Sequence, residues 1–202
     1  MKKRIFFFTV FFTAATLISL PSFSLTVLQL NLEQLTALSE KVFSGRCLSV
    51  TPKTDSGDRS VEEVTFEVEE MIKGEPADKI MFKQLSSSAL KSTSGGQGLA
   101  SNLPQYKVGE EAVVFLSADG PLGLTAPVGL FQGKFKVTVS KNGEKRLVNG
   151  MGNHGLFLGS SRSPRIKAMT LSSQEKALLK GQADALPYDP FVSLVKKLAE
   201  IN

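Results

Sequence analysis

Val64-Thr65-Phe66-Glu67-Val68-Glu69 puts an apolar side chain at every second position and a hydroxyl or carboxylate between them. That period of two predicts a strand with one face buried and the other toward water. The same reading extends outward in both directions. Val42-Phe43-Ser44-Gly45-Arg46-Cys47-Leu48-Ser49-Val50 is strand-like before it. Lys73-Gly74-Glu75-Pro76 supplies a turn after it, and Lys79 to Leu85 is strand-like again with Ile80 and Phe82 on one side. Ala112-Val113-Val114-Phe115-Leu116 is a continuous apolar run, the pattern of a strand covered on both faces. Phe131, Phe135, Val137 and Val139 alternate with Gln132, Lys134, Lys136 and Thr138, and Asn142-Gly143 closes a hairpin onto Arg146-Leu147-Val148. Leu156-Phe157-Leu158-Gly159 reads as a further strand.

No helical pattern of 10–15 residues separates these strands, so parallel βαβ units are not expected. The fold class is mainly β, a small antiparallel OB-like barrel with a short N-terminal helix and C-terminal helices. The first helix is expected from Asn31, with Gln34 reaching back to it, and Leu32, Leu35 and Leu38 sharing a face that covers an opening in the fold. Ser172-Ser173-Gln174-Glu175 is a second capping box, with Gly181 as the stop. Asp189-Pro190 opens a last helix in which Phe191, Leu194, Val195, Leu198 and Ile201 recur at helical spacing. That stripe packs on the barrel or meets another chain.

The chain has 202 residues, 42% of them hydrophobic, with 24 Lys and Arg against 19 Asp and Glu and a single Cys. Part of the basic excess belongs to the N-terminus. Lys2, Lys3 and Arg4 precede an apolar run from Ile5 to Leu20, and Pro21-Ser22-Phe23-Ser24 follows with small residues suited to a signal-peptidase cut. Residues 1–24 are expected to be a cleaved secretory signal, with the mature chain starting near Leu25. The alternative is a retained anchor, for which the run falls short of the roughly 20 residues that span a bilayer. Leu25 stands where a lipoprotein would need Cys. Domain organisation follows as 25–160 for the barrel and 161–202 for a helical extension packed on it. The expected location is periplasmic or secreted, with membrane contact only through an uncleaved signal.

The mature charge is nearly balanced, which argues against nucleic acid as a partner. Cys47, the single thiol, excludes an intrachain disulfide and is expected to be buried as a small hydrophobe. One Cys and one His, His154, leave too few soft ligands for a zinc site within one chain. Asp55, Asp58, Glu62 and Glu63 gather loosely around Gly57 and read as a solvated turn. Gly150-Met151-Gly152-Asn153-His154-Gly155 fits the dinucleotide fingerprint in letters, but a hairpin strand precedes it and no helix follows. Ser88-Ala89-Leu90-Lys91 fits the SxxK of penicillin-recognising enzymes without its companion motifs. A Cys47 and His154 dyad would require the two to meet with a third orienting group. No catalytic, cofactor or metal residue is expected.

Four of these segments, Val42–Val50, Val64–Gly74, Val108–Leu116 and Gly129–Phe135, occur in an order and spacing that resembles a group of exported bacterial proteins of unknown function. Their barrel is similar to the OB-type fold of tissue inhibitors of metalloproteinases and netrin-like modules. The resemblance implies a small binding barrel and no catalytic residue. Animal metalloproteinase inhibitors use an N-terminal Cys braced by disulfides, and this chain departs from that pattern at Leu25 and Cys47. The expected function is a non-enzymatic binding or interaction module for an unknown protein or envelope ligand. The alternatives are an inhibitor or accessory factor of an envelope protease, and a hydrolase with an unrecognised site. Gln132, Lys134 and Lys136 are the candidate ligand-facing strip, because OB-type barrels bind through open strand faces. The Ser-, Gly- and Asn-rich segment from Ser86 to Tyr106 is the candidate binding loop.

Overall fold

The computed structural model describes residues 28–87, 103–181 and 185–201. The expected signal segment, the Ser88 to Lys91 motif and most of the Ser86–Tyr106 segment lie outside these residues. None of the helices among the described residues is long and apolar enough to cross a membrane.

The fold grows from one long hairpin. Strands β1 (Lys41–Thr54) and β2 (Ser60–Lys73) have 14 residues each and pair antiparallel along their whole length. Asp55 builds the turn between them, its carboxylate accepting from the Gly57 and Arg59 amides at 2.9 and 3.0 Å and pairing with the Arg59 guanidinium. Three register shifts, at Val42/Phe43, Ser44/Gly45 and Cys47/Ser49, coil the hairpin. At Gly45 the β2 backbone comes so close that a Cβ would stand 2.3 Å from the Glu67 carbonyl oxygen. Only glycine allows that approach.

Strand β3 (Lys79–Leu85) pairs with β2, while β4 (Glu111–Leu116), β5 (Lys134–Val139), β6 (Lys145–Asn149) and the short β7 (Leu186–Pro187) extend the sheet beyond β1. The result is one antiparallel sheet of seven strands in the order β3-β2-β1-β4-β5-β6-β7. It is open, so the mainly β antiparallel fold is as expected but the OB-like barrel is not seen. The residues after β4 turn back toward β3, where the Thr125 amide donates to the Lys83 carbonyl at 2.8 Å, but this bond is not part of a strand ladder. The chain then builds β5 and β6 on the far side of β4, so the last strands move away from the edge that a barrel would need them to meet.

Each face of the sheet has its own core. Phe43, Cys47, Val64, Phe66, Ile80, Phe82, Ala112, Val114 and Leu116 form the inner cluster, capped by Tyr106, whose ring meets Phe66 and Phe82 edge-on at 5.6 and 5.5 Å. On the opposite face, Val42, Val113, Phe115, Phe135, Val137 and Leu147 lie beneath the helices. These are α1 (Leu32–Leu38), α2 (Pro164–Ala168), α3 (Ser173–Lys180) and α4 (Tyr188–Glu200). Strand β4 contributes to both clusters, which accounts for its unbroken apolar sequence.

Helix α4 buries Phe191, Leu194, Val195 and Leu198 against the sheet, and Ile201 at its end is 45% exposed. Helix α1 has the Asn31–Gln34 capping box and buries Leu32 and Leu35. Leu38 turns to solvent, 59% exposed, because six residues along a helix amount to more than one and a half turns. Two strand readings are corrected. Leu130–Gln132 is a single 3-10 turn, with β5 beginning only at Lys134, and Leu156 to Gly159 is a series of turns whose Leu156 carbonyl accepts from the Leu32 amide at 2.7 Å.

Candidate functional site

The inner cluster stops at β4, but its sheet face continues. Ala112 and Val114 pair with Lys136 and Lys134 on β5, and Lys136 pairs in turn with Val148 on β6. Over β1 to β4 this face is closed by packing. Over β5 and β6 it borders a cleft of about 390 Å³, walled by Leu103, Pro104, Gln105 and Lys107 on one side and by Lys134, Lys136 and Val148 on the other. Among the described residues, Glu110, Phe131, Asn149 and Gly150 also line it.

Lys134 and Lys136 therefore share this open face but stand in different states. The Lys134 ammonium lies 2.6 Å from the Glu110 carboxylate, with both side chains largely covered, and it also donates to the Gln105 carbonyl. It sits 4.5 Å from the centre of the Tyr106 ring, a cation–π contact. One lysine thus ties β5 to the segment that caps the inner cluster. Gln84 secures the same segment from β3, its amide donating to the Pro104 carbonyl at 2.9 Å. Lys136, by contrast, is exposed.

Gln132 does not join the strip. It is buried, 3% exposed, and holds the chain entering α1: its carbonyl accepts from the Leu30 amide and its amide donates to the Leu28 carbonyl, both at 2.9 Å. Its own backbone carbonyl accepts from the Asn149 side chain at 3.1 Å. Period-two counting placed it beside the lysines. Gly133 breaks that count, because the chain folds back so tightly that a Cβ there would stand 2.3 Å from the Val128 carbonyl oxygen.

The surroundings shift two neutral groups in the same direction. Burial holds the Cys47 thiol above its usual range, with the Glu110 carboxylate adding to the effect and Lys134 opposing it. Burial raises the Tyr106 hydroxyl well above its ordinary value, and the nearby Glu110 reinforces this. Both side chains stay uncharged at neutral pH and serve as packing. Cys47 is buried and His154 is exposed on its turn, and no contact among the described residues joins them.

The Gly150 to Gly155 segment is a self-stapled turn. Asn149 and Asn153 each accept the other's backbone amide through the side chain, at 2.8 and 3.0 Å. A Cβ at Gly150 would stand 2.7 Å from the Phe131 Cβ, and one at Gly155 would stand 1.9 Å from the Gln29 amide nitrogen. Packing against Phe131 accounts for Gly150, and the left-handed backbone, with φ of 72°, accounts for Gly155. The acidic residues near Gly57 divide similarly: Asp55 holds its turn, Glu63 pairs with Lys53 at 2.7 Å, and Glu62 accepts from Gln84 and Ser86.

A larger groove of about 820 Å³ lies on the helix side, between Glu69 and Glu70 of β2, the Gly143–Arg146 hairpin and Tyr188. Its cations are matched locally. Lys145 lies 3.1 Å from Glu111 and 3.7 Å from Glu69, and Arg146 lies 2.6 Å from Glu144. Comparison with protein-family models finds no match, and comparison with curated proteins finds none.

Proposed function

We propose that the protein is an exported, non-enzymatic binding module whose binding surface is the open β5–β6 part of the sheet together with the segment Leu103–Lys107. One observation carries the reading: a single sheet face passes from a sealed apolar core to an accessible cleft at the β4–β5 boundary. Concave surfaces with apolar lining and a few fixed polar groups are where ligands bind. The Lys134–Glu110 pair fixes one wall of the cleft without consuming Lys136 or Lys107. The basic and apolar N-terminal segment supports export to the periplasm or beyond. The order and spacing of the four quoted segments, which resemble those of exported bacterial proteins similar in form to netrin-like modules, support a binding role.

The test is capture from an envelope fraction by the full chain, carrying a C-terminal tag and purified as the cell delivers it. Val148→Arg places a long cation in the cleft wall, and Lys176→Glu on the exposed side of α3 serves as a control. A protein retained by the wild type and the control should fall about tenfold with Val148→Arg, the effect of losing about 1.4 kcal/mol of binding. Equal retention by all three would overturn the reading.

A further inference from the structure

The cations of this face fall into two groups. One, Lys134, is neutralised by Glu110. Lys107 and Lys136 line the cleft from opposite walls, both are exposed, and neither has an acidic partner among the described residues. Between them stand Leu103 and Pro104 from the loop side and Val148 and Phe131 from the opposite side, with Gln105, Asn149 and the mutually neutralised Lys134–Glu110 pair beside them. An unpaired cation at each wall of a mainly apolar floor matches a ligand with separated carboxylates and an apolar group between them.

We infer that the cleft accepts an acidic, extended segment of another protein, with an apolar side chain over Val148 and carboxylates reaching Lys136 and Lys107. This rests on the binding-face reading and names its ligand class. An extended peptide that runs from one wall to the other turns the residue between two acids toward the floor and leaves the two carboxylates at the rims, one beside each lysine. Complementary charge of this kind sets the choice of partner and the rate of encounter, and it weakens with salt. Two isolated ammonium groups suit single carboxylates better than a dense polyanion, which calls for clustered Lys and Arg.

The experiment uses the full chain labelled with nitrogen-15 and two synthetic pentapeptides, one alternating glutamate with leucine and one alternating lysine with leucine. The acidic peptide should shift the backbone amides of Lys107, Lys136 and Val148, with an affinity at least tenfold above that of the basic peptide. The double variant Lys107→Glu with Lys136→Glu should reverse the preference while leaving the remaining spectrum folded and unchanged. Equal shifts from both peptides would overturn the acidic ligand class while leaving the binding face intact. No shift from either would also overturn it, and the Val148→Arg capture experiment then shows separately whether the face itself binds.

Discussion

Phe135→Ala is expected to lower the unfolding free energy by about 3 to 5 kcal/mol, the range for removing a fully buried aromatic ring. Phe135 has no exposed surface and lies between Phe115 of β4 and Phe191 of α4, with ring centres 5.5 and 4.9 Å away. Its truncation leaves a cavity where β5, β4 and the last helix meet. The loss has a functional side, because Phe135 stands between Lys134 and Lys136 and its packing sets where β5 presents them. Urea denaturation followed by circular dichroism measures the effect. A loss below about 1 kcal/mol would show that the helix layer does not press on β5 as described.

Glu175 gives the second large effect, and it depends on pH. Its carboxylate is 1% exposed and accepts from the Ser172 amide at 2.6 Å and the Ser193 hydroxyl at 2.7 Å, with the Lys197 ammonium 2.7 Å away. Burial on its own would raise this acid, but the Lys197 ammonium and the Ser172 and Ser193 donors outweigh it and bring it from 4.5 down to about 2. A carboxyl lowered on folding stabilises the folded state above its unfolded value. That contribution, on the order of 3 kcal/mol, is present above pH 4.5 and fades as pH falls toward 2. Glu175→Gln should therefore be less stable than the wild type at pH 7 and close to it at pH 2.5. Denaturant midpoints of both proteins at pH 7, 4.5 and 2.5 measure the difference, which isolates Glu175 from other acids. A constant gap across that range would refute the assignment.

Much of the sheet was legible because its strands are local patterns. Val64, Phe66 and Val68 alternate with polar neighbours, and the unbroken run of β4 signalled two covered faces, one closed by the inner cluster and one by Phe135 and α4. The capping residues Asn31 and Ser172 marked helix starts because their bonds close within three residues. What failed depended on distant groups. Barrel closure is decided by which edge the later strands reach, and nothing local in Lys134 to Asn149 says that they extend the sheet beyond β4. Gln132 looked like a strand residue facing out, but its partners Leu28 and Leu30 are more than 100 positions away. The cleft was half legible: alternation put Lys134 and Lys136 on one face and Tyr106 stood at the end of the Ser-, Gly- and Asn-rich segment, while Lys107 and Glu110 join them only through the return of the chain before β4.

The claim at the centre is that one sheet face is sealed over β4 and accessible, for binding, over β5. Ala112 and Lys136 are ladder partners on those two strands and on that face, so cysteines placed at each sample both sides of the boundary. The native Cys47 is buried with a raised thiol pKa and provides a slow internal reference. Maleimide labelling of Lys136→Cys should be about a hundredfold or more faster than that of Ala112→Cys, which requires local opening, and a protein retained in the capture experiment should slow it. Equal rates at the two positions, or a rate at Lys136→Cys that a retained protein leaves unchanged, would contradict the account.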